Sequence, residues 1–171
     1  MAEWTIDPAR SSIGFSVRHM VISKVRGRFT RFAGTFTLDD ADPARSTAEA
    51  RIQVASVETG DRERDEYLRT SDFLDPARHP EIVFKSRRVE RAGRGLILVG
   101  DLTIRGVTRE VSLQVNETAR ARDRVGFQAK TTIDRRNFDL RWGQLVETGG
   151  VVVGDKLEIA IAVEATPRSA T

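Results

Sequence analysis

The chain alternates apolar and polar side chains along much of its length. Ile13, Phe15 and Val17 lie at every second position of the first run. Ser16 and Arg18 occupy alternate positions in the same run. Side chains two residues apart point to the same face of an extended strand, so each such run predicts a strand buried on one face. Eight runs show this pattern: residues 11–19, 30–39, 48–54, 82–87, 96–104, 111–116, 127–133 and 157–164.

Several of these runs are joined by short connections that contain glycine. Residues 92–95 read A-G-R-G and residues 105–108 read R-G-V-T, and a tight hairpin needs positive φ at such places. No connection is long enough for repeated helical crossovers, which argues against a parallel sheet. Closure into a barrel would remove the exposed edges of a flat sheet. We therefore predict one all-β domain over residues 1–171, an eight-stranded antiparallel β-barrel.

One segment breaks the alternation and predicts a short helix. The helix should run over about residues 61–70, with Thr59 as its N-cap. Asp65 and Arg69 are spaced i,i+4 and should pair on its exposed face. The helix has too few apolar side chains to hold a core, so we expect it to lie across one mouth of the barrel.

The inward positions of the strands are apolar and almost free of charge. An eight-stranded barrel either fills with side chains or holds one small ligand, and the pattern leaves both alternatives open. Small residues favour a cavity because they leave volume that larger ones would fill. These small residues are Gly34, Ala48, Ala50, Gly100 and Ala129. The predicted wall of the cavity consists of Phe15, Val17, Phe36, Ile52, Val54, Phe84, Leu102, Ile104 and Phe127.

Further candidate ligand contacts lie near the ends of the strands. His19 and Met20 end the first run. A lone His there is more often a structural hydrogen bonder than a ligand contact, and Met20 could fill a gap in the packing. Phe138 and Trp142 belong to an irregular stretch over residues 137–150, where they either line a mouth of the barrel or seal its rim.

The helical segment adds apolar and charged candidates. Leu68 is the apolar contact of the helix, and Phe73 follows in the next turn. Arg62, Arg64 and Asp65 could meet a polar head group such as a pyrophosphate, because the guanidinium of Arg suits phosphate. The alternative is a solvated, salt-bridged helix face, and the sequence favours it.

Composition excludes several kinds of chemistry. The chain has no Cys, so it has no disulfide, no zinc-thiolate site and no thiol nucleophile. Its two His, at positions 19 and 79, are too far apart in sequence to indicate a metal cluster. The motifs of nucleophile elbows, P-loops and dinucleotide-binding turns are absent. We predict no catalytic residue, no metal and no cofactor.

The charge distribution and the N-terminal residues limit the partners and the location that we expect for this protein. The 28 basic and 25 acidic residues leave a net charge of +3 and are interleaved, which predicts a solvated mixed surface and no nucleic-acid partner. The N-terminus has neither a basic n-region nor an apolar h-region, so we predict a cytoplasmic protein without a secretory signal. No apolar run is long enough for a transmembrane segment, although transient contact with a membrane stays open.

Seven ordered motifs resemble those of the YceI family of polyisoprenoid-binding, lipocalin-like proteins. Residues 25–34 are similar to its V-x-G-x-F-x-x-F-x-G motif, and Phe29 of this motif joins the candidate ligand contacts. Two positions depart from the family pattern, because Tyr67 replaces the usual His and Asp139 replaces the usual Gly. The matching segments are residues 4–8 with 12–20, 24–34, 56–60, 64–73, 80–86, 100–108 and 134–138.

The resemblance implies an eight-stranded lipocalin-like barrel with one helix at a mouth, a long isoprenoid threaded through its interior, and a homodimer. Together with the apolar interior, it predicts a non-enzymatic protein that carries or sequesters an apolar, chain-like small-molecule ligand. Two alternatives remain. The first is an enzyme that acts on an isoprenoid or lipid, and the second is a barrel without a ligand that serves a structural or stress role.

Overall fold

The computed structural model describes residues 2–19, 23–140 and 153–168 of the chain. These residues form eleven strands and one α-helix, α1, at Arg62–Leu68. The strands are β1 (Ala2–Ile6), β2 (Ser12–His19), β3 (Ser23–Phe29), β4 (Phe32–Leu38), β5 (Thr47–Gln53), β6 (Val57–Glu58), β7 (Glu81–Ala92), β8 (Gly95–Ile104), β9 (Val107–Arg120), β10 (Val125–Asp134) and β11 (Val153–Pro167).

The strands pair as an antiparallel meander that closes on itself. From β7 to β11, each strand pairs with the next one along the chain. The sheet closes because β11 pairs with both β1 and β2, with Ala165 opposite Ile6 and Ile161 opposite Ile13. Since β1 with β2 and β3 with β4 each form one interrupted strand, the barrel has eight antiparallel strands, which confirms the predicted fold.

Interruptions in the first two strands explain where the sequence-based boundaries differ. A 3-10 turn at Pro8–Arg10 separates β1 from β2, and the Asp7 carboxylate caps it by accepting from the Ala9 amide at 3.1 Å. The second predicted run began at residue 30, but Thr30 lies in the break before β4 and its amide donates to Ser56 Oγ at 3.2 Å. The alternating runs do not include β3, whose inward positions include a glycine.

The predicted hairpins are present. The connection between β7 and β8 has Gly93 at φ +60°, and the connection between β8 and β9 has Arg105 at +50° and Gly106 at +75°. Positive φ at the first central residue only, as at Gly93, and at both, as at Arg105 and Gly106, are the two turn geometries that match the right-handed twist of the flanking strands. These turns set the register of β8 against both neighbours.

Helix α1 begins two residues later than an N-cap at Thr59 would require. Asp61 is the N-cap, and its carboxylate accepts from the Arg64 amide at 3.1 Å. The predicted Asp65–Arg69 pair does not form, because Arg69 donates to the carbonyl oxygens of Ala55 and Val57 at 2.9 and 2.7 Å. These backbone contacts tie the end of α1 to the chain that leaves β5.

Buried side chains form two clusters along the barrel. The larger includes Leu68 of α1 and Val57 of β6, together with Phe84 and Leu102 from the longer strands. The smaller joins Trp4, Val125 and Ala165. Because Ala165 is near the end of β11 and pairs with Val125, the first residue of β10, the smaller cluster lies towards the end of the barrel away from α1.

Candidate functional site

A cavity of about 280 Å³ lies inside the barrel between these two clusters. Its wall comes from the inward positions of the alternating runs, which resolves the choice between a filled and a hollow interior in favour of a cavity. Phe15, Ile52 and Phe127 are only half-buried although they point inward, because the space in front of them is not filled by protein. The predicted ligand contacts that line the cavity are Phe15, Val17, Phe29, Phe36, Ile52, Leu68, Phe73, Phe84, Leu102, Ile104 and Phe127.

The remaining predicted contacts are placed elsewhere. Val54 is not part of the cavity wall, because β5 ends at Gln53 and Val54 begins a 3-10 turn that packs it into the larger core cluster. Phe138 is only 1% exposed and belongs to the same cluster, so it seals the packing and does not line the cavity. His19 is the last residue of β2, and its side chain, Met20 and Trp142 lie outside the described part of the chain.

The small inward residues contribute to the cavity unequally. Ala48, Ala50 and Ala129 line it, as the sequence suggested. Gly100 does not, because a Cβ atom at this position would lie 2.5 Å from the ring of Phe84. Gly34 is likewise covered, at 2.7 Å, by the side chain of Ile6. Volume freed by a small residue therefore becomes cavity only where no neighbouring side chain fills it.

Where α1 covers the cavity, two polar residues form a corner of its wall. Arg64 and Thr59 are lining residues, and Arg64 donates from Nε to Thr59 Oγ1 at 2.8 Å and from Nη2 to the Thr59 carbonyl at 2.9 Å. The Asp65 carboxylate accepts from the Thr59 amide at 2.9 Å and from its hydroxyl. By contrast, the side chain of Arg62 is 96% exposed and lies 3.9 Å from Glu66.

The sequence-based list of contacts missed several lining residues. Val25 belongs to β3, which is not among the predicted strands, although its inward residues Val25, Gly27 and Phe29 repeat every second position. Leu74 follows Phe73 in an irregular turn, where no period exists to reveal its direction. The 2.8 Å hydrogen bond from Arg64 identifies Thr59 as part of the corner, a contact that sequence spacing cannot show.

A 3-10 turn at Arg135–Phe138 brings Leu140 into the cavity wall. Arg135, whose side chain is 11% exposed, donates to the Leu140 carbonyl and to Asp155 Oδ1, both at 2.8 Å. Asp139 follows the turn with φ +56°, a conformation that glycine adopts without strain. This backbone geometry accounts for the glycine that the family pattern has at this position.

The same turn contains a carboxylate with a shifted pKa. Asp134 caps the turn by accepting from the Arg136 amide at 3.0 Å. Hydrogen bonds from the Arg136 guanidinium, the closest at 2.8 Å, hold the pKa of Asp134 well below its usual range, with a smaller contribution from Lys156. The fold therefore stabilises the ionised form of the Asp134 carboxylate.

Two buried polar atoms have no hydrogen-bond partner among the described residues, Tyr67 Oη and Trp4 Nε1. Tyr67 stands at the His position of the family pattern, and its ring packs against Phe73 with the centroids 6.2 Å apart.

Within the described part of the chain, no group of three or more His, Asp or Glu side chains is placed to hold a metal. None of the helices in that part is long and apolar enough to cross a membrane.

A closed barrel of eight antiparallel strands around an apolar cavity defines the class of lipocalin-like barrels. Within this class, the chain belongs to the YceI-like family, whose domain matches residues 4–165. It is 35% identical over 147 residues to the protein YceI of Escherichia coli. The aligned region covers 82% of this chain and 77% of that protein. It is 34% identical over 134 residues to the UPF0312 protein plu2095 of Photorhabdus laumondii. This alignment covers 75% of this chain and 70% of that protein.

Solved structures share the same fold. BcnA of Burkholderia cenocepacia superposes with a TM-score of 0.85 at 25% identity, over 94% of this chain and 99% of that one. A polyisoprenoid binding domain from Saccharophagus degradans superposes with a TM-score of 0.79 at 16% identity, over 98% and 100%. The second similarity establishes the common architecture alone.

Proposed function

We propose that this protein binds a long, apolar, chain-like small molecule, a polyisoprenoid or a related fatty lipid, inside the barrel and carries or sequesters it. The observation that carries the proposal is the cavity of about 280 Å³, whose wall is formed by apolar side chains from all around the barrel. The polyisoprenoid-binding domain with the same architecture supports this choice of ligand class.

Burial of apolar surface would supply the affinity. A methylene group moved out of water is worth about 0.8 kcal/mol, so one five-carbon unit contributes roughly 3–4 kcal/mol before the cost of ordering the chain. A few such units are enough for useful affinity. Because apolar contacts discriminate weakly between chains of similar width, the site should accept several related ligands.

The proposal assigns no catalytic role to the barrel. Of the described residues that line the cavity, only Arg64 and Glu49 carry ionisable side chains. Glu49 lies 3.5 Å from Arg51 in an exposed ion pair. An enzyme acting on the ligand would need an acid or base beside the bound chain. The cytoplasmic location and the homodimer stay predictions.

Organic extraction of the purified protein, followed by mass spectrometry, tests the proposal. We expect to recover an isoprenoid or fatty lipid in a fixed molar ratio to the protein. Ala129→Trp should reduce this ratio, because Ala129 lines the cavity and the indole would fill it. Gln128→Trp is the matched control, since Gln128 is the exposed neighbour on the same strand.

Two results would count against the carrier. An extract without any isoprenoid or fatty lipid, together with no binding of added prenyl or fatty compounds, would favour a barrel that has no ligand and serves a structural role. Recovery of a chemically altered lipid after incubation with a pure one would favour the enzyme.

A further inference from the structure

We propose that Phe36 and Phe127 form a floor of the cavity and set the longest apolar chain that the barrel buries in full. This inference rests on the proposed function, because it adds a limit on the length of the same ligand. It starts from a contact between the two rings, whose centroids lie 5.6 Å apart in an edge-to-face arrangement. Both residues line the cavity, and both are half-buried.

The two rings meet across part of the lumen. Phe36 lies on β4 and Phe127 on β10, and the strands β1 and β11 lie between them in the sheet. Three strand spacings therefore separate β4 from β10, which is about 14 Å along the barrel wall. Rings that start this far apart on the wall and still contact each other project into the lumen, where the edge-to-face packing stabilises them.

The space behind the rings is filled with protein. Trp4, Val125 and Ala165 form the smaller core cluster, and Phe36 and Phe127 pack against it. All three cluster residues are buried, and none of the three lines the cavity. Trp4 and Ala165 belong to β1 and β11, the two strands that the rings span. The rings therefore separate the cavity from a packed core.

Neighbouring side chains extend the floor. Leu38 and Val163 pack against the same cluster and line the cavity as well. The floor is thus apolar and limits a bound chain by steric contact. A limit on length is compatible with the weak discrimination between chains of similar width, because it depends on the depth of the cavity and not on the contacts along its wall.

The depth of the cavity gives the scale of the limit. On β10 the lining residues run from Phe127 to Ile133, and Ile133 packs in the larger core cluster with Leu68 of α1. At about 3.4 Å per residue, and with the tilt of strands in a barrel, this distance corresponds to roughly 15 Å along the barrel axis. An extended docosanoate chain is longer, so it would meet the rings before it is fully buried.

The dependence of affinity on chain length tests the inference. Each methylene group that the cavity buries should raise the affinity about fourfold. Once the chain reaches the rings, further methylene groups stay in water and the affinity stops rising. Displacement of a fluorescent fatty acid measures this for saturated fatty acids from decanoate to docosanoate, with the full-length protein after removal of bound lipid and below the critical micelle concentrations. We expect a plateau before docosanoate in the wild-type protein.

Variants assign the plateau to the two rings. Phe127→Ala removes one ring and frees the volume of several methylene groups, so the plateau should move to a longer chain. If this variant does not fold, Phe127→Val takes its place with the same expected direction, because it keeps more of the packing against the smaller cluster.

Phe15→Ala is the matched control. Phe15 lines the same cavity, and its ring centroid also lies 5.6 Å from that of another ring, Phe29. These two residues lie on the adjacent strands β2 and β3, so their contact follows the wall and does not cross the lumen. Loss of the Phe15 ring should change the affinity for all chains by a similar factor and leave the plateau at the same length.

The outcomes separate this inference from the proposed function. An affinity of the wild-type protein that still rises about fourfold per methylene group up to docosanoate would overturn the floor and leave the carrier standing. A plateau that stays in place in the Phe127 variant, or that moves equally in Phe15→Ala, would also overturn it. Failure of every fatty acid to bind, together with an extract without any isoprenoid or fatty lipid, would overturn both.

Discussion

The ring of Phe84 on β7 packs over Gly100 on the neighbouring strand β8. A Cβ atom at position 100 would lie 2.5 Å from the tip of the ring and 2.6 Å from the Lys85 carbonyl oxygen. At Gly27, an added Cβ atom would likewise lie 2.3 Å from the ring of Phe15. Aromatic rings laid over glycines on the next strand cover the backbone there, so these two rings form part of the cavity wall.

We expect Gly100→Ala to lower the free energy of unfolding by about 1–3 kcal/mol, because both the ring and the backbone carbonyl oppose the added methyl group. Thermal or chemical denaturation measures the change. Gly14→Ala is the control, since its Cβ would meet backbone oxygens at 3.5 and 3.7 Å, which are ordinary contacts. Equal stability of the two variants would contradict the close packing of Phe84 on Gly100.

Tyr67→Phe should raise the free energy of unfolding of the ligand-free protein by about 1 kcal/mol. The substitution removes a buried hydroxyl that has no partner among the described residues and keeps the ring against Phe73. Ser56→Ala supplies the contrast. Ser56 Oγ donates to the Gln53 carbonyl at 2.7 Å and accepts from two backbone amides, so its loss should destabilise the protein by about 1–3 kcal/mol. A lower stability of Tyr67→Phe than of the wild-type protein would show that the Tyr67 hydroxyl has a hydrogen-bond partner in solution.

The stability of the protein should depend on Asp134 in acid. The pKa of Asp134 is lowered in the folded state by hydrogen bonds from Arg136, so the ionised carboxylate stabilises the fold above its unfolded value of 3.8. This stabilisation is lost as the pH falls below that value towards the folded pKa. Asp134→Asn should therefore lower the melting temperature at pH 7, and the difference from wild type should shrink between pH 4 and pH 2. A constant difference over this range would contradict the shifted pKa.

Arg135→Gln should destabilise the protein by about 2–3 kcal/mol, because it removes charge-assisted hydrogen bonds to Leu140 and Asp155 from a side chain that is 11% exposed. Arg136→Gln should destabilise the protein less than Arg135→Gln, because that side chain is 62% exposed and its ion pair is screened by water and salt. Urea denaturation of both variants compares them. A larger loss for Arg136→Gln would show that Arg135 does not hold this turn together.

Much of the barrel can be predicted from local sequence because the direction of a side chain in a strand repeats every two residues. Phe127, Ala129 and Ile133 could thus be placed on the inner face from their spacing alone, and all three line the cavity. The hairpin around Gly93 could be placed for the same reason, since a tight turn needs positive φ at a defined position. Where the period is interrupted, as at Thr30 and Leu74, the prediction loses its basis.

The amino-acid sequence by itself determined the eight alternating strands, the apolar interior and the helix between β5 and β7, because these depend on neighbours close along the chain. Only the tertiary structure decided that the interior is hollow and that Gly100 and Gly34 add nothing to the cavity. It also decided that Arg64 and Thr59 form a polar corner, while Arg62 faces the solvent. Those outcomes depend on which side chains meet across strands that are distant in sequence, and residue spacing carries no information about such contacts.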